Sequence, residues 1–206
     1  MIKMPCLFVR EFHGKQSFTL TEVVTPGCEW VLAGEGVASV KRDGTACLFC
    51  GSQLFKRYDA KKDRKTGEFR LPPQGAIPCS DPDPETGHWP HWVLIEKHDY
   101  WHVEAFARQA AELVDGATYE LCGPKISANP ERLYVHTLLR HGVEKCWPLR
   151  TFDGLRGYLS EAYYIEGLVF AHPDGRFAKI RRKDFGLPWP LQREAELPTD
   201  RREVKP

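Results

Sequence analysis

Residues 37–49 read Val37-Ala38-Ser39-Val40-Lys41-Arg42-Asp43-Gly44-Thr45-Ala46-Cys47-Leu48-Phe49. Val37 to Lys41 and Thr45 to Phe49 are short β-prone runs, and Asp43-Gly44 between them is a preferred two-residue hairpin turn because both residues tolerate positive φ. On that reading Lys41 closes a strand. Residues summing to 87 then face one another, so Lys41 lies opposite Ala46 and Val40 opposite Cys47, and small neighbours leave the amine room.

Outward from this stretch, the first hundred residues carry further short apolar or alternating runs broken by turn residues. Residues 56 to 70 (KRYDAKKDRKTGEFR) hold seven basic and three acidic side chains without periodicity, and Leu71 to Glu85 holds five prolines. An exposed arm followed by an irregular loop is expected. Val103 to Val114 (VEAFARQAAELV) is the clearest helix, stopped at Asp115-Gly116, and a second helix runs from about Asp153 to Ala162. Glu166 to Phe170 and Arg176 to Arg182 form another predicted hairpin around Asp174-Gly175. With a two-residue turn, Phe170 opposes Lys179 and Leu168 opposes Arg181, and Glu166, Lys179 and Arg181 share a face with Leu168 and Phe170. That face is expected to line a pocket.

The chain has 206 residues, 42% hydrophobic and 28% charged, enough for one core. Lys plus Arg number 29 against 28 Asp plus Glu, a net charge of +1, which excludes a uniformly basic coat and an acidic tail; any affinity for nucleic acid must be local. No stretch approaches the roughly 20 apolar residues that cross a bilayer. Seven scattered cysteines, an odd number, read as reduced thiols of a cytosol or a nucleus rather than a disulfide framework. Cys47 and Cys50 have half a zinc-knuckle spacing, yet residues three apart on a strand point to opposite faces. Cys122 and Cys146 are expected as small buried thiols. Gly87 to His102 gathers His88, Trp89, His91, Trp92, His98, Trp101 and His102, which suits aromatic packing better than a metal cluster, with base stacking as the functional alternative.

Lys41-Arg42-Asp43-Gly44 has the Lys-x-Asp-Gly form of covalent nucleotidyltransferases, a pattern that chance alone gives in about one chain in twenty of this length. Downstream come Thr118-Tyr119-Glu120-Leu121-Cys122-Gly123, Glu166-Gly167-Leu168-Val169 and Ala178-Lys179-Ile180-Arg181, in the order and rough spacing of the later motifs of ATP-dependent ligases and capping enzymes. Over Trp30 to Pro190 the chain most resembles the animal-type ATP-dependent 5′-3′ RNA ligase family, long catalogued as a domain of unknown function. The resemblance runs through Arg57 to Asp59, Gly87 to Lys97, Trp101-His102, Asn129-Pro130, His141-Gly142 and Phe185 to Pro190.

The resemblance implies an α+β nucleotidyltransferase (ATP-grasp-like ligase) domain over residues 1–190, whose antiparallel sheets form a nucleotide cleft. It implies no OB domain, because only the charged tail 191–206 follows. It further implies ATP, Mg²⁺ or Mn²⁺, and RNA carrying 5′-phosphate and 3′-hydroxyl ends, handled by a monomer without membrane attachment. Lys41 would be the nucleophile, Lys179 and Arg181 (with Lys183 as substitute) would grip the α-phosphate, and Glu166 would hold the metal through water. Glu120 would act on the ribose hydroxyls or a second metal, Arg57 near the ribose and the incoming phosphate, and Asp81 at a further acidic position.

A free lysine, with a pKa of about 10.4, is nucleophilic in about one molecule in a few thousand at pH 7, so neighbouring cations, metal and desolvation must activate it. The basic arm at 56–70 or Arg181 to Lys183 would hold pyrophosphate, and the arm would also contact RNA. Guanylyltransferase, DNA ligase and a catalytically silent nucleic-acid-end binding protein are the competing readings. The plain reading of each charged residue is a solvated surface.

Overall fold

A computed structural model describes residues 4–14, 17–63, 65–84 and 86–190. The charged tail expected over 191–206 lies outside them. In chain order the strands are β1 (Phe8–Phe12), β2 (Phe18–Val24), β3 (Val37–Lys41), β4 (Thr45–Cys50), β5 (Gln53–Asp59), β6 (Ile77–Pro78), β7 (Pro90–Leu94), β8 (Thr118–Cys122), β9 (Thr137–Arg140), β10 (Lys145–Cys146), β11 (Gly167–Ala171) and β12 (Phe177–Arg181). The helices are α1 (Glu29–Leu32), α2 (Tyr100–Gln109) and α3 (Phe152–Glu161), with 3₁₀ turns at Ala110–Glu112 and Arg182–Phe185. Sheets built from antiparallel pairs with few helices make the class α+β.

The chain divides into two compact units. Residues 43–141 carry a six-stranded sheet in the order β6-β7-β5-β4-β8-β9. Its core face buries Cys47, Phe49, Leu54, Tyr119, Leu121 and Leu138 together with Ala105 of α2. Residues 4–42 and 142–190 carry a four-stranded sheet, β10-β3-β11-β12, and the β1-β2 pair. Here Ala38, Leu168, Phe170, Ala178 and Ile180 form one sheet face and pack with Leu155 and Leu159 of α3. Alternation explains the choice: every second residue of β11 and β12 is apolar, and those positions face inward.

The strands at 37–49 form as expected, but they do not pair with each other. β3 pairs with β10 and β11, whereas β4 pairs with β5 and β8. Lys41 therefore faces Gly167 of β11 rather than Ala46. Neither Asp43 nor Gly44 takes a positive φ. Glycine is required at 44 for a different reason: a Cβ there would stand 2.2 Å from the Leu121 carbonyl oxygen.

The second hairpin does form, one register step away from the expected one. His172 N–H donates to the Arg176 carbonyl at 2.9 Å, and Gly175 takes φ +92°, so the loop is three residues with glycine in the left-handed position. Val169 consequently faces Lys179, Phe170 faces Ala178 and Leu168 faces Ile180. A one-residue slip turns every side chain over, and this one sends Leu168 and Phe170 into the core, away from the charged face.

The arm expected at 56–70 is only partly an arm. Residues 56–59 belong to β5, a strand between β4 and β7, where Lys56 is ion-paired with Asp99, and only the residues beyond Ala60 run out as exposed loop. Helix α2 begins at Tyr100, earlier than expected, and ends in the 3₁₀ turn at Ala110–Glu112. Helix α3 starts after Thr151, whose hydroxyl caps it by accepting the Gly154 N–H at 3.1 Å.

Candidate active site

In the unit of residues 4–42 and 142–190, the register sets Lys41 and Ser39 of β3, Gly167 and Val169 of β11, and Lys179 and Arg181 of β12 on one face. Gly167 lies between Lys41 and Arg181 in the ladder and gives that face no side chain there. Glu166 occupies the bend just before β11, 5% exposed, and its carboxylate is ion-paired with the Lys41 amine. The amine also donates to the Arg42 carbonyl at 3.2 Å. A buried carboxylate on a half-buried lysine, next to two further cations, is the grouping expected from the motifs, although the inferred hairpin geometry was wrong.

Lys179 is held by main-chain bonds on both sides. Its N–H donates to the Pro5 carbonyl at 3.0 Å, and its carbonyl accepts the Leu7 N–H at 2.8 Å, so residues 5–7 run alongside β12. Burial pushes the Lys179 ammonium down from its ordinary 10.5 to about 8, with Arg181, Lys41 and Arg10 adding like-charge repulsion and Glu166 opposing them. Arg181 is fixed by Asp184, three residues on: its Nη2 donates to Oδ1 at 2.9 Å and its Nε to Oδ2 at 3.2 Å. Asp184 is 4% exposed and also receives Arg10 Nη2 at 2.8 Å. Arg182 is buried and spends its guanidinium on the carbonyls of Leu159 and Pro188, whereas Lys183 is exposed.

In the unit of residues 43–141, Glu120 lies opposite Ala46, and Arg57 follows Lys56, whose partner is Cys47. Cys47 belongs to the core face, so Glu120 and Arg57 share the opposite face of the sheet. Both Glu120 oxygens are engaged: Oε1 accepts the Gly44 N–H at 3.0 Å and Oε2 meets His141 Nε2 at 2.9 Å. His141 Nδ1 lies 3.0 Å from the Thr118 hydroxyl, which orients the ring. Asp81 is exposed in the bend after β6. In the aromatic segment, His88 Nδ1 is hydrogen-bonded to the Asp59 carboxylate, Trp89 Nε1 donates to the Ser80 carbonyl at 3.1 Å, His91 is buried, and Trp101 stacks on His136 at 4.6 Å. Cys47 is buried and Cys50 exposed.

Three residues of these clusters escaped sequence reasoning. Arg10 and Asp184 are 174 positions apart, and no local pattern links them. Only the spacing Arg181-x-x-Asp184 on a short turn hinted at a pair. His141 stood inside a recognised motif without a role. Among the described residues, no three His, Cys, Asp or Glu side chains are arranged to hold a metal. A hydrated Mg²⁺ keeps several waters and takes one or two carboxylates plus substrate phosphates, so it does not require such a group.

In the unit of residues 4–42 and 142–190, the β3-β11-β12 face carries a lysine-centred cationic cluster with a buried carboxylate. Curated relatives agree in name. RNA ligase 1 of Pongo abelii is 24% identical over 271 aligned positions, covering 92% of this chain and 82% of the relative. That alignment is longer than the chain, so the relative carries insertions. RNA ligase 1 of Rattus norvegicus is 28% identical over 60% of this chain, and that of Danio rerio 29% identical over 52%. The chain spans about half the length of these last two, 51% and 43%. No family model matches. The chain is thus similar in sequence to animal proteins named RNA ligase 1. Among the described residues, no helix is long and apolar enough to cross a membrane.

Proposed function

We propose that the chain is an ATP-dependent RNA ligase with a nucleotidyltransferase fold, working through a lysyl-AMP intermediate. The observation that supports this reading best is the Lys41 amine held by buried Glu166 on the face that carries Lys179 and Arg181. Relatives named RNA ligase 1 supply the substrate class.

The unprotonated Lys41 amine attacks the α-phosphorus of ATP. A nitrogen–phosphorus bond forms, the bond from the α-phosphorus to the bridging oxygen breaks, and pyrophosphate leaves with the electron pair. The proton released from nitrogen passes to solvent. Lys179, with Arg181 held beside it by Asp184, stabilises the charge that builds on the α-phosphate. A 5′-phosphate oxygen of RNA next attacks the adenylyl phosphorus, and the lysine departs and takes up a proton. Finally the RNA 3′-hydroxyl attacks the 5′-phosphorus and gives up its proton to solvent, the bond from that phosphorus to the bridging oxygen breaks, and AMP leaves with the electron pair. Glu166 would hold Mg²⁺, which would supply charge neutralisation at the phosphates. Glu120 and Arg57 serve the ribose and the incoming 5′-phosphate, and the exposed lysines after Ala60 contact RNA.

Incubation with α-labelled ATP or GTP tests this. Label from ATP on the wild-type chain and none on Lys41→Ala is expected; label from GTP alone would make it a guanylyltransferase, and RNA binding without label a silent end-binding protein.

A further inference from the structure

The reading just given requires a place for the β- and γ-phosphates and for the pyrophosphate that leaves, and the present inference rests on that reading. Arg10, on β1, is brought to the cation cluster by the β1-β2 pair, whose register slips between Phe8 and Arg10. Its Nη2 donates to Asp184 Oδ1 at 2.8 Å, and its guanidinium lies 5.0 Å over the Phe18 ring. Among the described residues, its Nε is buried without a partner. Asp184 is therefore shared by two arginines that come from opposite ends of the chain, and its Oδ2 also accepts the Arg181 N–H at 2.9 Å.

The charges do not cancel. Arg10, Lys41, Lys179 and Arg181 bring four positive charges, and Glu166 and Asp184 two negative ones, which leaves +2 on six partly or fully buried groups. A partly dehydrated surplus of this size is met by a polyvalent anion. Planar guanidinium forks suit phosphate oxygens better than point charges do, and a donor already fixed by a carboxylate loses little freedom on binding.

We propose that Arg10 and Arg181, both positioned by Asp184, form the subsite for the β- and γ-phosphates of ATP and for departing pyrophosphate. The N-terminal strand thereby takes the task that sequence reading gave to the basic arm or to Arg181 to Lys183. Arg10 belongs to nucleotide binding, and Asp184 is a positioning residue.

Two partial reactions separate this role from a structural one. The adenylylated chain, given inorganic pyrophosphate, reforms ATP and so needs the subsite; joining of chemically pre-adenylylated RNA without ATP does not. Arg10→Ala is expected to weaken the apparent pyrophosphate affinity about tenfold or more, with Arg10→Lys in between, while joining of pre-adenylylated RNA changes less than about twofold. Arg108→Ala, which removes an exposed cation on α2, controls for net charge and should leave both reactions unchanged.

Unchanged pyrophosphate affinity in folded Arg10→Lys and Arg10→Ala overturns the proposal, as does an equal loss in both partial reactions. If Arg10→Ala does not fold, Arg10→Lys alone decides in the same way. A wild-type chain that takes no label from ATP overturns the parent reading and this one with it. Failure of the Arg10 role alone leaves wild-type labelling intact.

Discussion

Lys179 carries its charge against burial and three neighbouring cations. Because its folded value, about 8, lies below its ordinary 10.5, the unfolded chain binds more protons between those values, and the penalty of the buried charge is present below about pH 8 and relieved above it. Phosphate binding has the opposite need, since only the protonated form attracts the anion. KM for ATP is therefore expected to rise as pH passes about 8, and Lys179→Arg to flatten that rise, in initial-rate measurements of lysine adenylylation across pH. A pH-independent KM in the wild type would contradict the role given to Lys179. At this scale the sequence singled out Lys41, Glu166 and Lys179 because each lies in a short motif, and the structure sets them side by side. Arg10 and Asp184 stayed hidden because an ion pair across 174 positions leaves no local trace.

Among the elements, strand positions were legible and strand partners were not. β3 and β4 have the expected bounds to within a residue, since alternation and the Asp43-Gly44 break are local signals. Which strands they pair with depends on contacts far along the chain, and there the apparent hairpin misled. At the second hairpin the fault was smaller: one extra loop residue changed the register and exchanged the two faces. A single substitution distinguishes the registers. Leu168, fully buried, should lose about 2–5 kcal/mol on Leu168→Ala in chemical denaturation, as a large core residue does. Were Leu168 on the cation face, the same change would instead cost adenylylation rate with little loss of stability.

For the whole molecule, a net charge of +1 gives no general attraction for RNA, so affinity must come from local cations. Lys61, Lys62, Lys65 and Arg70 are exposed in the loop beyond β5. If two of them contact phosphates, Lys61→Glu with Lys62→Glu should weaken RNA binding and reduce the slope of log affinity against log salt by about 1.4. Fluorescence anisotropy at several salt concentrations measures that slope, and an unchanged slope would exclude the loop from the RNA surface.

Every step of the proposed ligation depends on whether Lys41 accepts an adenylyl group. Intact-mass spectrometry after exposure to ATP and Mg²⁺, followed by peptide mapping, answers this directly. The expected result is a species heavier by one adenylyl group, with the addition on Lys41 and reversed by pyrophosphate. An unmodified mass under conditions where the protein is folded, or an adduct on any other residue, would contradict it.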